Sequence, residues 1–221
     1  MTFWGRPPIH ILKLAGAIQK KLAAVSPNLW LMPLHQMHIT TLEVTFCRTP
    51  SEISSILSTL RPSIPRIASY TYSHRARLIK PMVSYDLSAL ALSFLPAAGE
   101  PSPSPSNPSS AEVVNDKYTY HHLRRDIWDL TKAAGIVVDS RYIVPSAHVT
   151  LGRYLTQGEH AVPEQRRRWV EAIDEVNAWL EAEVWGREDS EWYVGQEKGL
   201  DVRVGTLWYG GGRTVMMGEG F

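Results

Sequence analysis

The sequence predicts an α+β fold built from two similar halves, each with an antiparallel sheet and outer helices. Three observations lead to this. A proline- and serine-rich stretch, Pro96 to Ser110, divides the 221-residue chain near its middle. The same order of elements, helix, strand, helix, strands, is legible on both sides of it. Each half also closes on two strand-like runs, and in the second half Gly210-Gly211-Gly212 between them suits a hairpin.

In the first half, Ile11, Leu14, Ile18, Leu22 and Val25 recur at spacings of three and four, an amphipathic helix that Pro27 stops. Residues Leu29 to Phe46 are rich in β-formers, with Pro33 marking a break or an edge. Thr49-Pro50-Ser51-Glu52 reads as a capping box with proline at the first helical position, opening a helix to about Leu60. Arg77 to Asp86 and Ser88 to Leu95 are the closing strands.

The second half follows the same plan. Leu123, Ile127, Leu130 and Ala134 mark a helix face, and Gly135 supplies the stop. Arg141 to Leu155, with Pro145 inside it, is the next strand region; Pro163 then opens a helix with Trp169, Ile173, Val176, Leu180 and Val184 on one face. The closing strands are Leu200 to Tyr209 and Arg213 to Gly218, around Gly210-Gly211-Gly212. The Pro/Ser stretch cannot pack a core and is expected to be a mobile connection whose shortening leaves function largely intact.

Composition narrows the function. A hydrophobic content of 44% supports an ordinary core, so disorder throughout is excluded. The 23 basic and 22 acidic side chains nearly cancel, which argues against tight, non-specific binding along a nucleic-acid backbone and leaves nucleic-acid ends or small anions as partners. Cys47 is the one cysteine; it excludes an internal disulfide or a thiolate cage and is expected to be a small buried apolar residue. No segment approaches the roughly 20 apolar residues of a membrane span, and Met1 to Pro8 lacks the pattern of a secretory signal. The expected location is the cytoplasm, with the nucleus also open.

The chemistry resides in two short motifs, 110 positions apart: His38-Ile39-Thr40-Thr41 and His148-Val149-Thr150-Leu151. In a strand, residues i and i+2 share a face, so each motif presents an imidazole beside a hydroxyl. Brought together across a cleft, two imidazoles can remove a proton from a nucleophile and deliver one to a leaving oxygen, because the unperturbed histidine pKa of roughly 6.5 allows both near neutrality. The threonine hydroxyls can donate to the non-bridging oxygens of a phosphodiester. Tyr154 shares the nominal parity of His148 and Thr150 and is a further candidate, for stacking on a base. Arg77, Lys80 and Arg153 could neutralise phosphate, although simple alternation sets Arg153 on the face opposite His148 unless a bulge intervenes.

The other histidines, His10, His35, His74, His121, His122 and His160, form no repeated pattern. His121 and His122 adjoin, but neighbouring helical side chains diverge by about 100° and no further ligand stands at metal spacing, so neither a metal nor any cofactor is expected.

The paired motifs resemble those of the two-histidine phosphoesterases, the superfamily of RNA ligases and cyclic nucleotide phosphodiesterases. The flanking run from Leu123-Arg124-Arg125 to Ala134-Gly135-Ile136, then Arg141 to Pro145 and Ala147 to Arg153, is similar to that family's helix, turn and second motif strand. Proline usually precedes the second histidine there; Ala147 stands here, with Pro145 two positions upstream. The resemblance implies a single bilobal domain over 1–221, with lobes of roughly 1–95 and 112–221 joined by the loop 96–111 and a cleft between them. It implies His38 and His148 as catalytic residues, with Thr40 and Thr150 binding substrate; Tyr154 joins the substrate-binding candidates on strand parity alone. The implied activity is metal-independent cleavage of 2′,3′-cyclic phosphates on nucleotides or RNA ends, by a monomer without an obligate partner. The alternatives are 2′-5′ RNA ligation, 3′-end exonucleolytic trimming, or non-catalytic binding of RNA or nucleotides.

Overall fold

A computed structural model describes residues 1–100, 116–140 and 146–221. Most of the Pro/Ser stretch, together with Arg141 to Pro145 at the start of the second motif strand, lies outside the described residues. The fold combines helices with antiparallel sheet, as the sequence predicts.

The helices form where the apolar periodicity places them. Helix α1 (Ile9–Ala23) buries Ile11, Ala15, Ile18 and Leu22. Helix α2 (Pro50–Leu60) has the expected reciprocal cap: the Thr49 backbone N–H donates to Glu52 at 2.7 Å and the Glu52 N–H donates to the Thr49 hydroxyl at 3.3 Å. A short α3 (Ile64–Ala68) follows, and α4 (Tyr120–Ala133) ends just before Gly135, whose φ of +86° suits glycine. Helix α5 (Pro163–Trp179) opens on its proline and buries Trp169, Ile173 and Val176, and a wider π turn from Leu180 to Val184 extends it.

The strands are β1 (Thr2–Gly5), β2 (Trp30–Leu31), β3 (Ile39–Glu43), β4 (Arg77–Tyr85), β5 (Ala89–Pro96), β6 (Ala147–Arg153), β7 (Trp192–Tyr193), β8 (Lys198–Val204) and β9 (Arg213–Glu219). They join into one sheet in the order β7-β4-β5-β6-β3-β1-β8-β9, with β2 added on β6. Every named strand pair is antiparallel. The hairpin β4–β5 of the first half docks against the motif strand of the second half, β6. The hairpin β8–β9 of the second half lies beyond β1 and the first motif strand, β3. The two motif strands therefore meet as neighbours at the centre of the sheet.

One face of the sheet is packed against helices. Phe3, Ile39, Leu92, Val149 and Val202 belong to a continuous core that includes Ile11, Ile18, Leu22, Ile127 and Ile173. Alternation then turns the intervening side chains, among them His38, Thr40, His148 and Thr150, to the other face.

Three local expectations change. The closing strand read as Leu200 to Tyr209 ends at Val204, because Gly205 (φ +99°) and a tight turn at Trp208–Gly210 take the chain out of the ladder. Thr2–Gly5 is a strand in its own right, placed between β3 and β8. Cys47, expected inside, is exposed, because it occupies a left-handed position (φ 47°) in the turn that leaves β3. Among the described residues no helix is long and apolar enough to cross a membrane.

Candidate active site

The register between the motif strands builds the site. Ile39 pairs with Val149, and both point into the core. Continuing that antiparallel register by one residue in each direction sets His38 opposite Thr150 and Thr40 opposite His148. Each histidine thus faces the other motif's threonine, and the four side chains make a diagonal square on the open face of the sheet. All four are half-buried. The cross-strand rows extend outward: His148 pairs with Ser93 of β5, while Thr40 pairs with Trp4 of β1, which pairs in turn with Asp201 of β8.

His38 is held on three sides. Its Nδ1 lies 2.9 Å from the Gln36 carbonyl oxygen. A carbonyl only accepts, so this nitrogen carries the proton and the Nε2 lone pair is left for chemistry. The ring stacks on buried Trp4, with centroids 3.6 Å apart and planes 16° from parallel. Both Arg6 and Arg203 lie over the same indole at 5.1 Å. Arg6 donates to Asp201 at 2.7 and 2.9 Å and to the Met37 carbonyl at 3.1 Å; Arg203 donates to carbonyls of Gly210 to Gly212. Burial, first, and then the positive charge of Arg6, Arg203 and His148 lower the His38 pKa to about 4, outweighing the opposing effect of the Gln36 carbonyl.

His148 has a different setting. Its Nδ1 is 2.8 Å from the Ser146 hydroxyl, a group that can donate or accept. Burial and the charge of Arg124 lower its pKa, and the Asp86 carboxylate opposes them. Arg124 comes from α4 and lies over the ring of Tyr120, whose hydroxyl donates to the Thr40 carbonyl at 3.0 Å. The backbone under the first motif is therefore tied to the helix that carries the cation beside the second.

A bulge in β6 decides the fate of the residues beyond the motif. Thr150 pairs with Ala91 but Gly152 pairs with Leu90, which leaves Leu151 as an extra residue. Alternation slips by one. Arg153, paired with Ala89, returns to the face of Thr150 and His148, and Tyr154 turns to the helix side. There its hydroxyl accepts from Trp169 Nε1 at 2.8 Å, and its ring meets those of Trp169 and His160 edge-on. The parity expected for Tyr154 is thus corrected: it stands apart from the histidine square.

The remaining candidates also find places. Arg77 is fully buried between Asp116 and Glu191, a structural ion cluster away from the motifs. His122 accepts from the Thr119 N–H at 3.1 Å and caps α4. No group of three or more His, Cys, Asp or Glu side chains able to hold a metal is found among the described residues.

No family model matches the chain, and no curated protein does. Solved structures do. Kluyveromyces marxianus Usb1 with uridine monophosphate aligns over 92% of this chain and 93% of its own, at 14% identity and a TM-score of 0.47. A second structure of Kluyveromyces marxianus Usb1 gives 14% identity and a TM-score of 0.46 over 92% of each chain. At that level of likeness the chemistry has to come from the residues themselves.

Trp4, Arg6, Arg203 and Ser146 were not singled out by sequence reasoning. Thr2-Phe3-Trp4 is a run of β-formers, and Asp201 and Arg203 alternate within a predicted strand, so a signal for both strands was legible, although only the second was read. Their meeting at His38 was not, because it depends on β1 inserting between β3 and β8.

Proposed function

We propose that the chain is a metal-independent phosphodiesterase that opens 2′,3′-cyclic phosphates on nucleotides or RNA ends, with His38 as general base and His148 as general acid. The observation that carries this reading is the crossed register, which puts each imidazole opposite the other motif's hydroxyl on one open face. A phosphate seated on that square has an imidazole on each side and a threonine hydroxyl within reach of each non-bridging oxygen. His38 Nε2 takes a proton from the attacking water, the P–O bond to the departing 2′- or 3′-oxygen breaks, and His148 returns a proton to that oxygen. Thr40 and Thr150 donate hydrogen bonds to the oxygens whose charge distribution changes as phosphorus becomes five-coordinate.

The assignment of base and acid rests on the hydrogen bonds. Nδ1 of His38 is committed to a carbonyl, which fixes the tautomer whose Nε2 accepts. Nδ1 of His148 meets a hydroxyl that serves either protonation state. The cations that depress both imidazoles also favour an anionic substrate, and a bound phosphate offsets part of that field and raises both pKa values.

The deciding assay is hydrolysis of the four nucleoside 2′,3′-cyclic phosphates with and without excess EDTA. Turnover that survives chelation is expected. Activity lost to EDTA and restored by a divalent ion overturns the metal-free mechanism, and binding without turnover leaves a nucleotide-binding module in its place.

A further inference from the structure

The bulge at Leu151 brings onto the histidine face a second group of side chains that the proposed reaction does not use. Arg153 stands one cross-strand row beyond Thr150, a step of two residues or roughly 7 Å along the sheet. Its guanidinium lies 5.5 Å from the ring centroid of Tyr209, and Tyr209 meets Trp30 edge-on at 4.7 Å. Trp30 is itself paired with Arg153 through β2. A cation and two aromatic rings thus line the open face next to the square.

Two features mark this group as built for a ligand. Among the described residues Arg153 forms no hydrogen bond or ion pair, and its Nε is buried without a partner. Asp86, whose carboxyl is held low first by the Ser88 N–H and last by the charge of Arg153, commits Oδ1 to the N–H groups of Ser88 and Ala89 and to the Ser88 hydroxyl, in the β4–β5 turn. Tyr209 is 47% exposed and sits at φ 54°, a left-handed conformation unfavourable for a bulky residue. Its turn is held in place by Gly210, packed against Gln36, and by Arg203, which donates to the loop carbonyls. The same Gln36 carbonyl orients His38. The ring is therefore presented to solvent by the scaffold that positions the proposed base.

We infer that Arg153, Tyr209 and Trp30 form a subsite for the nucleotide next to the scissile phosphate, so that the preferred substrate is an oligonucleotide end rather than a mononucleotide. The guanidinium contacts the internucleotide phosphate and the aromatic rings stack on the adjoining base. This rests on the phosphodiesterase reading for which phosphate occupies the histidine square.

Calorimetric titration of the whole protein with a 3′-phosphorylated deoxydinucleotide and with the matching deoxymononucleotide 3′-phosphate isolates the subsite, since neither ligand has the 2′-hydroxyl needed for turnover. The dinucleotide is expected to bind about tenfold more tightly, in line with one stacked base. Arg153→Gln and Tyr209→Asn, the latter chosen because asparagine tolerates a positive φ, should each shrink that gap to about twofold or threefold and leave mononucleotide affinity unchanged. Equal affinity of wild type for both ligands, or a gap that survives both substitutions, overturns the subsite. A gap seen in a protein that hydrolyses no cyclic phosphate removes the catalytic reading and leaves the subsite standing; turnover of cyclic mononucleotides without a gap does the reverse.

Discussion

The two motif strands are nearly interchangeable in register, yet the surroundings of their histidines are not. His38 lies against an indole, bonded to a fixed carbonyl and beside two arginines; His148 touches a rotatable hydroxyl and feels both an arginine and a carboxylate. Acid–base catalysis needs one neutral and one protonated imidazole at the same moment, so equivalent settings would be a disadvantage. On the proposed reading, the difference teaches that the repeated motif supplies the groups, and unrepeated neighbours divide the labour.

The strongest way to break this comparison is to remove one imidazole at a time. His38→Ala and His148→Ala should each lower kcat by about 10²–10⁴-fold with ligand affinity largely kept, because a proton transfer is expressed in the transition state. The double variant should be less impaired than the product of the single effects, as for groups acting as a unit. Steady-state kinetics on a cyclic phosphate measure this, and wild-type rates in both single variants would end the catalytic assignment.

The pH dependence of kcat/KM sharpens it. With His38 held to about 4, its neutral form is present above that value, which sets the acid limb; the lowered pKa of His148 sets the alkaline limb below the ordinary histidine range. The optimum should therefore fall on the acid side of neutrality. The kcat profile should move upward in pH, since bound phosphate favours both imidazolium forms. A kcat/KM optimum above pH 7.5 would contradict the division of roles.

Stability gives a readout independent of turnover. The folded pKa of His38 is below its unfolded value, so between roughly 6.5 and about 4 the unfolded chain binds a proton that the folded chain does not. Stability therefore falls as pH drops through that window, by roughly 2–3 kcal/mol from this residue. Urea melts of wild type and His38→Gln should converge toward acid pH, with the variant flatter; parallel curves would show that burial does not depress this imidazole.

Smaller effects are expected from the neighbours. Trp4→Leu removes the stack, worth about 0.5–1.5 kcal/mol beyond area burial, and should lower kcat severalfold while moving the acid limb upward as water reaches His38. Ser146→Ala should reduce kcat only about threefold to tenfold with KM unchanged, affecting the alkaline limb alone. If Trp4→Leu moves the alkaline limb or Ser146→Ala the acid one, the roles are reversed.

Much of this was legible because it is local. The capping box at Thr49 and Glu52, the stop at Gly135 and the proline start of α5 depend on a few neighbouring residues and need no tertiary contact to be read. The face shared by His38 with Thr40, and by His148 with Thr150, follows from the period of a strand. Tyr154 was misplaced for the same reason. Period-two counting assumes an unbroken ladder, and the extra residue at Leu151 arises from pairing with β5, which the sequence of β6 alone does not reveal.

By itself, then, the sequence determined most of the elements, the two motifs and the chemistry their side chains can perform. Only the tertiary structure decided that the motif strands are hydrogen-bonded neighbours in crossed register, that β1 brings Trp4 beneath His38, and that Arg153 rather than Tyr154 turns to the open face. The reason is the range of the interactions. Helix caps and strand alternation are settled within a few residues, whereas strand order, register and bulges are settled by cross-strand hydrogen bonds between segments about sixty to two hundred residues apart.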